Sequence, residues 1–190
     1  MLIISQNLSN YDFSVPKNSV FRINLAWINN IDELVDILKK HGSHKIFLDL
    51  PINRTKPPNN TYSISELIPI INNFKNIQYL AISNVDDDSI LTEFLEIIPS
   101  HIQIIPKIES PQGISNIDSI SKKLPYENKI LMLDHDDLFS SLKQIGAPIS
   151  KFVESINELT TYCNENNISL LRTVGVIFSD SEKRITQYIK

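Results

Sequence analysis

Glu109 and Asp137 each stand in a polar cluster that closes an apolar run, Ile105-Pro106-Lys107-Ile108-Glu109 in one case and Leu131-Met132-Leu133-Asp134-His135-Asp136-Asp137 in the other. If the two runs are adjacent parallel strands, both carboxylates leave the same end of the sheet. They could then share one hard divalent cation, Mg²⁺ or Mn²⁺, which takes one or two carboxylates plus substrate oxygens and water. Lys107 would stand beside them as a fixed cation for an enolate or phosphoryl oxygen, or as the ion-pair partner of Glu109. A second use of the acidic residues stays open: Glu109 could cap a helix beginning near Pro111, and Asp137 one beginning at Leu138.

Further candidates lie upstream. In Val20-Phe21-Arg22-Ile23-Asn24-Leu25 the alternation puts Arg22 and Asn24 on one face of an otherwise apolar strand. A charge on a core face is costly unless it meets an anion, so Arg22 either binds a carboxylate or phosphate ligand or points outward among helices. Asp49 and Arg54 repeat the situation at the next strand end, pairing with each other or supporting the ligand. His135, beside Asp137, is either a proton shuttle or a loop histidine with no catalytic role, whereas His41, His44 and His101 read as solvated. Asp86-Asp87-Asp88 follows a strand and precedes an amphipathic segment, so it reads as the acidic first turn of a helix.

The elements that must position these residues alternate along the chain. Strand-like runs are expected at Leu2–Ser5, Val20–Leu25, Lys45–Leu50, Ile77–Ser83, Ile102–Ile108, Lys129–Leu133 and Ser169–Phe178. Between them Ile31, Leu34, Val35 and Leu38 keep helical spacing, as do Ile64, Leu67, Ile68 and Ile71, and then Ile90, Phe94, Leu95 and Ile98. A long helix is expected from Pro148 to Asn166 and a last one from Asp180 to Lys190. Alternating βα units predict a parallel sheet, read here as a trimmed or incomplete (β/α)8-type barrel, because the eight-unit form takes about 250 residues. The proline-rich stretch Pro51–Thr61 would cover its active face.

Composition sets the frame for these readings. With 190 residues, 42% of them hydrophobic and 21% charged, the expectation is one domain with one core. A net charge of −4 with scattered basic residues argues against nucleic acid as a partner. The single cysteine, Cys163, excludes an internal disulfide. Neither a signal peptide nor an apolar run of the roughly 18 residues needed to span a membrane is visible, so a cytoplasmic setting is expected. Glycine-rich phosphate loops, zinc-type Cys or His pairs and the G-x-S-x-G elbow are missing, which lowers those reaction classes.

Lys107-Ile108-Glu109-Ser110-Pro111-Gln112-Gly113-Ile114-Ser115-Asn116-Ile117-Asp118-Ser119-Ile120 resembles the pyruvate kinase signature K-I-E-N-x-E-G-x-x-N-x-D-x-I. Met132 to Leu138 is similar to the M-V-A-R-G-D-L that follows it. Arg22-Ile23-Asn24 resembles that family's R-x-N, Tyr79 to Ser83 its Y-x-A-x-S, and Asp49-Leu50 with Arg54 its D-x-x-G-x-x-x-R. The C-terminal part is closer to the HpcH/HpaI-type aldolases and citrate lyase β-subunits of the same superfamily: Asp137 to Leu142 resembles D-L-x-x-S-L-G, and Val174 to Asp180 the next strand and helix start.

The resemblance implies a single pyruvate kinase-like barrel over residues 1–190, without the kinase lid and C-terminal effector domains. It implies Lys107 as the catalytic lysine, Glu109 and Asp137 as metal ligands, and Arg22, Asn24, Asp49 and Arg54 around a small 2-oxo acid or enol phosphate. The activity expected is that of a Mg²⁺-dependent lyase or aldolase, with His135 as the acid or base. Phosphoenolpyruvate-dependent transfer is one alternative, and a catalytically degenerate barrel serving as a binding or assembly subunit, homo-oligomeric across its unclosed edge, is another. Several positions depart from the family pattern. Ala26 and Trp27 replace the serine and histidine after R-x-N, His135 replaces an arginine, Asp134 replaces a glycine, and Met1–Ser19 lacks the aldolases' histidine and acidic pair.

Overall fold

From Val20 onward, apolar runs of four to six residues become parallel strands because helices return the chain between them. The computed structural model describes residues 3–5, 18–53, 58 and 60–172. Their strands are β1 (Ile3–Ser5), β2 (Val20–Asn24), β3 (Lys45–Leu50), β4 (Ile77–Ile82), β5 (Gln103–Ile108), β6 (Ile130–Leu133) and β7 (Ser169–Arg172). The helices are α1 (Ile31–Lys40), α2 (Ile64–Asn73), α3 (Ser89–Ile97), α4 (Pro111–Ser115), α5 (Ile117–Lys123), α6 (His135–Gln144) and α7 (Ile149–Glu165). Every strand pairing is parallel. The fold class is α/β with a parallel sheet, as the βα alternation predicts. The expected continuation of the last strand to Phe178 and the helix from Asp180 lie outside the described residues, as does Arg54.

The described residues pack as two compact units, one within Met1–Val85 and Ser89–Pro106, the other within Asp86–Asp88 and Lys107–Lys190. In the first, β1 to β5 pair in chain order. Strand β3 is buried at five of its six positions, the signature of a parallel strand covered on both faces. Helix α1 is capped by Asn30, whose side chain accepts from the Glu33 N–H, and it carries Asp32 and Glu33 in its first turn and Lys39 and Lys40 in its last, matching the helix dipole at both ends. Helix α2 starts with a reciprocal Ser63–Glu66 capping box, which fixes its first turn upstream of Pro69. Among the histidines read as solvated, His41 is buried and stacks on Phe21 with ring centroids 3.7 Å apart. Burial first, and then His44 and Lys40, lowers its pKa.

In the second unit the last two residues of β5 pair with β6, Lys107 with Met132 and Ile108 with Leu133, and β6 pairs with β7 up to Leu133 and Arg172. Helix α7 buries Phe152, Ile156, Leu159 and Cys163 on one stripe. Its Tyr162 hydroxyl lies 2.7 Å from Ser121 Oγ and donates to Asp118 Oδ1 at 3.2 Å, tying α7 to α5. Burial pushes the Cys163 thiol up to about 11. The folded thiol therefore stays protonated at pH 8 and reacts with a disulfide reagent only after unfolding. Since the unfolded thiol ionises first, this residue's contribution to stability falls as pH rises from about 9 towards 11. Following absorbance with such a reagent, with and without denaturant, checks both statements. No helix among the described residues is long and apolar enough to cross a membrane.

Candidate functional site

Ser110 and Asp134 decide how the second unit presents its carboxylates, because each takes over a capping task that the sequence left open for another residue. Ser110 caps α4, its hydroxyl oxygen accepting from the Gly113 N–H at 3.0 Å. Asp134 caps α6, Oδ1 accepting from the N–H groups of Asp136 at 3.2 Å and Asp137 at 3.3 Å. Helix α6 thus begins at His135 rather than at the expected Leu138, and neither Glu109 nor Asp137 is a cap.

The parallel register sets the rest. Since Ile108 pairs with Leu133, Glu109 and Asp134 are each the first residue past a paired position at the carboxyl ends of neighbouring strands, which run about 4.8 Å apart. Asp137 follows Asp134 by three residues, one turn into α6. Glu109, Asp134 and Asp137 each offer one carboxylate oxygen to a cluster whose atoms all lie within 4.8 Å of one another. Glu109 is buried and the two aspartates are partly exposed, so the group opens to solvent from the α6 side.

Lys107 in β5 and Glu109 just past its end, two residues apart, form an ion pair with Nζ 2.8 Å from Oε1. Both side chains are almost fully buried, at 4% and 2% exposure. Of the two readings open for Lys107, the geometry realises the ion pair, and it does so within the carboxylate group. His135 is also buried, with Phe152 edge-on at 6.5 Å between ring centroids. Its Nε2 lies 3.2 Å from Arg172 Nε and 3.0 Å from Nη2. A guanidinium only donates, so Nε2 is the acceptor.

In the first unit Arg22 meets Asp49. Arg22 Nε donates to Asp49 Oδ2 at 3.1 Å, Nη2 donates to the same oxygen, and Asp49 is buried at the C-terminal end of β3. The inward arginine inferred from strand alternation therefore has its anion within the chain. Asn24 accepts the Ala26 N–H at 3.0 Å and caps the 3-10 turn Leu25–Trp27. Asp86, expected in the acidic first turn of a helix, instead accepts from the Ser110 hydroxyl, while its backbone oxygen accepts from Asn116 Nδ2 at 2.8 Å.

The structure thus joins Glu109 and Asp137 with Lys107, joins Arg22 with Asp49, and adds Asp134 and Arg172, which the sequence reading did not propose as site residues. Asp134 had a signal, an N-cap residue type directly after the apolar Leu131-Met132-Leu133. Arg172 had none, since its partner lies 37 residues away.

No family model matches the chain, and no curated protein matches it. Among solved structures, RipC from Yersinia pestis is similar, with a TM-score of 0.59 and 18% sequence identity over 85% of this chain and 72% of RipC. A likeness at that identity is one of fold. The pyruvate kinase-like reading is corrected here: the findings support a parallel α/β fold with RipC as a structural neighbour, and they give no support to a pyruvate kinase-like barrel. Its two central motif matches, beginning at Lys107 and Met132, span the ends of β5 and β6 and the helix starts that follow, where capping residues and an N-terminal proline are common in parallel α/β proteins.

Proposed function

We propose that the second unit binds a divalent cation, Mg²⁺ or Mn²⁺, through Glu109, Asp134 and Asp137, and that it acts on a small 2-oxo acid as a lyase, making or breaking a carbon–carbon bond beside the oxo group. The observation that carries the reading is the convergence of the three carboxylate oxygens within 4.8 Å. An all-oxygen, all-carboxylate donor set suits a hard cation, and opposite oxygens around Mg²⁺ lie about 4.2 Å apart, so small side-chain rotations close the site. Charge favours the same conclusion. Three carboxylates against the ammonium of Lys107 leave two formal negative charges, which one divalent cation balances.

When bound, such a cation supplies Lewis-acid polarisation of a substrate oxo group. The remaining work falls to the chain. Lys107 is fixed by Glu109 at 2.8 Å, so its positive charge is oriented before a substrate arrives and is worth more in a buried site than in water. A substrate oxygen that gains negative charge as the neighbouring bond breaks is the group this charge would favour. Asp134 caps α6 and Asp137 sits in its first turn, with the Asp134 side chain held by the Asp136 and Asp137 N–H groups.

The reading is tested by titrating Mn²⁺ into the protein with and without oxalate, a planar dianion that mimics the enolate of a 2-oxo acid. Oxalate binding that needs Mn²⁺, and that is lost in both Glu109→Gln and Asp137→Asn, is the expected result. A folded wild-type protein that binds neither Mn²⁺ nor oxalate overturns it.

A further inference from the structure

His135 and Arg172 have no part in the chemistry just described, yet they form a charged contact involving a buried ring. Arg172 pairs with Leu133 at the end of β6, and two residues further on His135 opens α6. By strand alternation Arg172 shares the face of Leu133 and Ile108, whereas Lys107 shares the opposite face with Met132. The arginine therefore approaches the β6–α6 junction from the side away from Lys107.

Its two N–H groups close on His135 Nε2 at 3.0 and 3.2 Å. The ring is 1% exposed and is held edge-on by Phe152 of α7. The first residue of α6 is thus gripped from β7 by the guanidinium and from α7 by an aromatic edge. The residues on either side of it are the cap Asp134 and the first-turn Asp136 and Asp137.

Resting on the reading of Glu109, Asp134 and Asp137 as a cation site, we propose that His135 and Arg172 form a positioning clamp that seats the first turn of α6 and so aims Asp134 and Asp137 at Glu109. In this arrangement His135 is an acceptor engaged at Nε2 and acts through Arg172 as a positioning residue. Outer partners that orient ligands typically govern about 10- to 100-fold in metal affinity.

Two measurements on the full chain separate the clamp from the cation site. The first is amide exchange by NMR, without metal, at Asp137, whose N–H reaches Asp134 Oδ1 at 3.3 Å, and at Leu138, whose N–H reaches the Asp134 carbonyl at 3.0 Å. The second is Mn²⁺ affinity, with the line shape of the bound ion read by electron paramagnetic resonance. In Arg172→Met and His135→Phe, exchange at the two amides rises about 10-fold, Mn²⁺ binding weakens about 10-fold and the spectrum broadens. In His135→Gln, whose Oε1 replaces Nε2 as acceptor, both readouts return to within about 3-fold of wild type. Arg172 is exposed, so Arg172→Met keeps the test open should His135→Phe fail to fold. Unchanged exchange in Arg172→Met overturns the clamp whatever the metal does. Faster exchange in a protein whose wild type binds no Mn²⁺ upholds the seating of α6 and overturns the cation reading instead.

Discussion

In the presence of a chelator, Lys107→Met unfolds with about 3–5 kcal/mol less stability than wild type, and Lys107→Met/Glu109→Leu regains most of that loss. The two side chains are 4% and 2% exposed with their charged atoms 2.8 Å apart, so neither has much water to fall back on. Methionine at 107 removes the ammonium that pairs with the buried Glu109 carboxylate and faces the acidic group. Replacing both members substitutes apolar volume for an ion pair whose desolvation had consumed most of its Coulomb gain, which is why the double change is milder. Denaturant midpoints with unchanged slopes measure both effects. If a divalent cation occupies the carboxylates, Mg²⁺ or Mn²⁺ at millimolar concentration raises the midpoint of Lys107→Met more than that of wild type, because the cation then neutralises charge that the lysine no longer does. Equal stability of Lys107→Met and wild type would show that Glu109 is held by other contacts.

The strands are legible in the sequence because each is an apolar run bounded by polar residues, and for β3 the expected ends, Lys45 and Leu50, are the observed ones. The start of α6 is not legible in the same way. Asp134, His135, Asp136 and Asp137 are four consecutive polar residues, and local spacing does not say which one stops being strand. The start is set by Asp134, whose Oδ1 accepts from the Asp136 and Asp137 N–H groups, and the burial of His135 against Phe152 with Arg172 at its Nε2 comes from partners far away in the sequence. Arg22 is a parallel case. Alternation along β2 places it on a core face, but its partner Asp49 is 27 residues away and becomes visible only through the parallel register that sets Asn24 beside Asp49. The family resemblance fails for a related reason. Lys107 to Gly113 contains a strand end, a serine cap and a proline at the first helical position, features that strand-to-helix junctions favour.

Asp134 carries two tasks that substitution can separate. Asparagine caps a helix as well as aspartate does, so Asp134→Asn keeps the acceptor for the Asp136 and Asp137 N–H groups and holds stability in chelator to within about 0.5 kcal/mol of wild type. It removes a charged ligand oxygen from the cluster, and Mn²⁺ affinity falls about 100-fold, equivalent to about 2.7 kcal/mol. Asp134→Ala loses both functions: the same affinity falls at least as far, and about 1 kcal/mol of stability goes with the cap. Thermal unfolding in chelator together with Mn²⁺ titration of the two variants gives the comparison. Should Asp134→Asn bind Mn²⁺ as wild type does, Asp134 is a cap alone. The cation would then rest on Glu109 and Asp137, and with Lys107 paired to Glu109 the charge left for it would be one unit rather than two, a weaker site that substrate oxygens would have to complete.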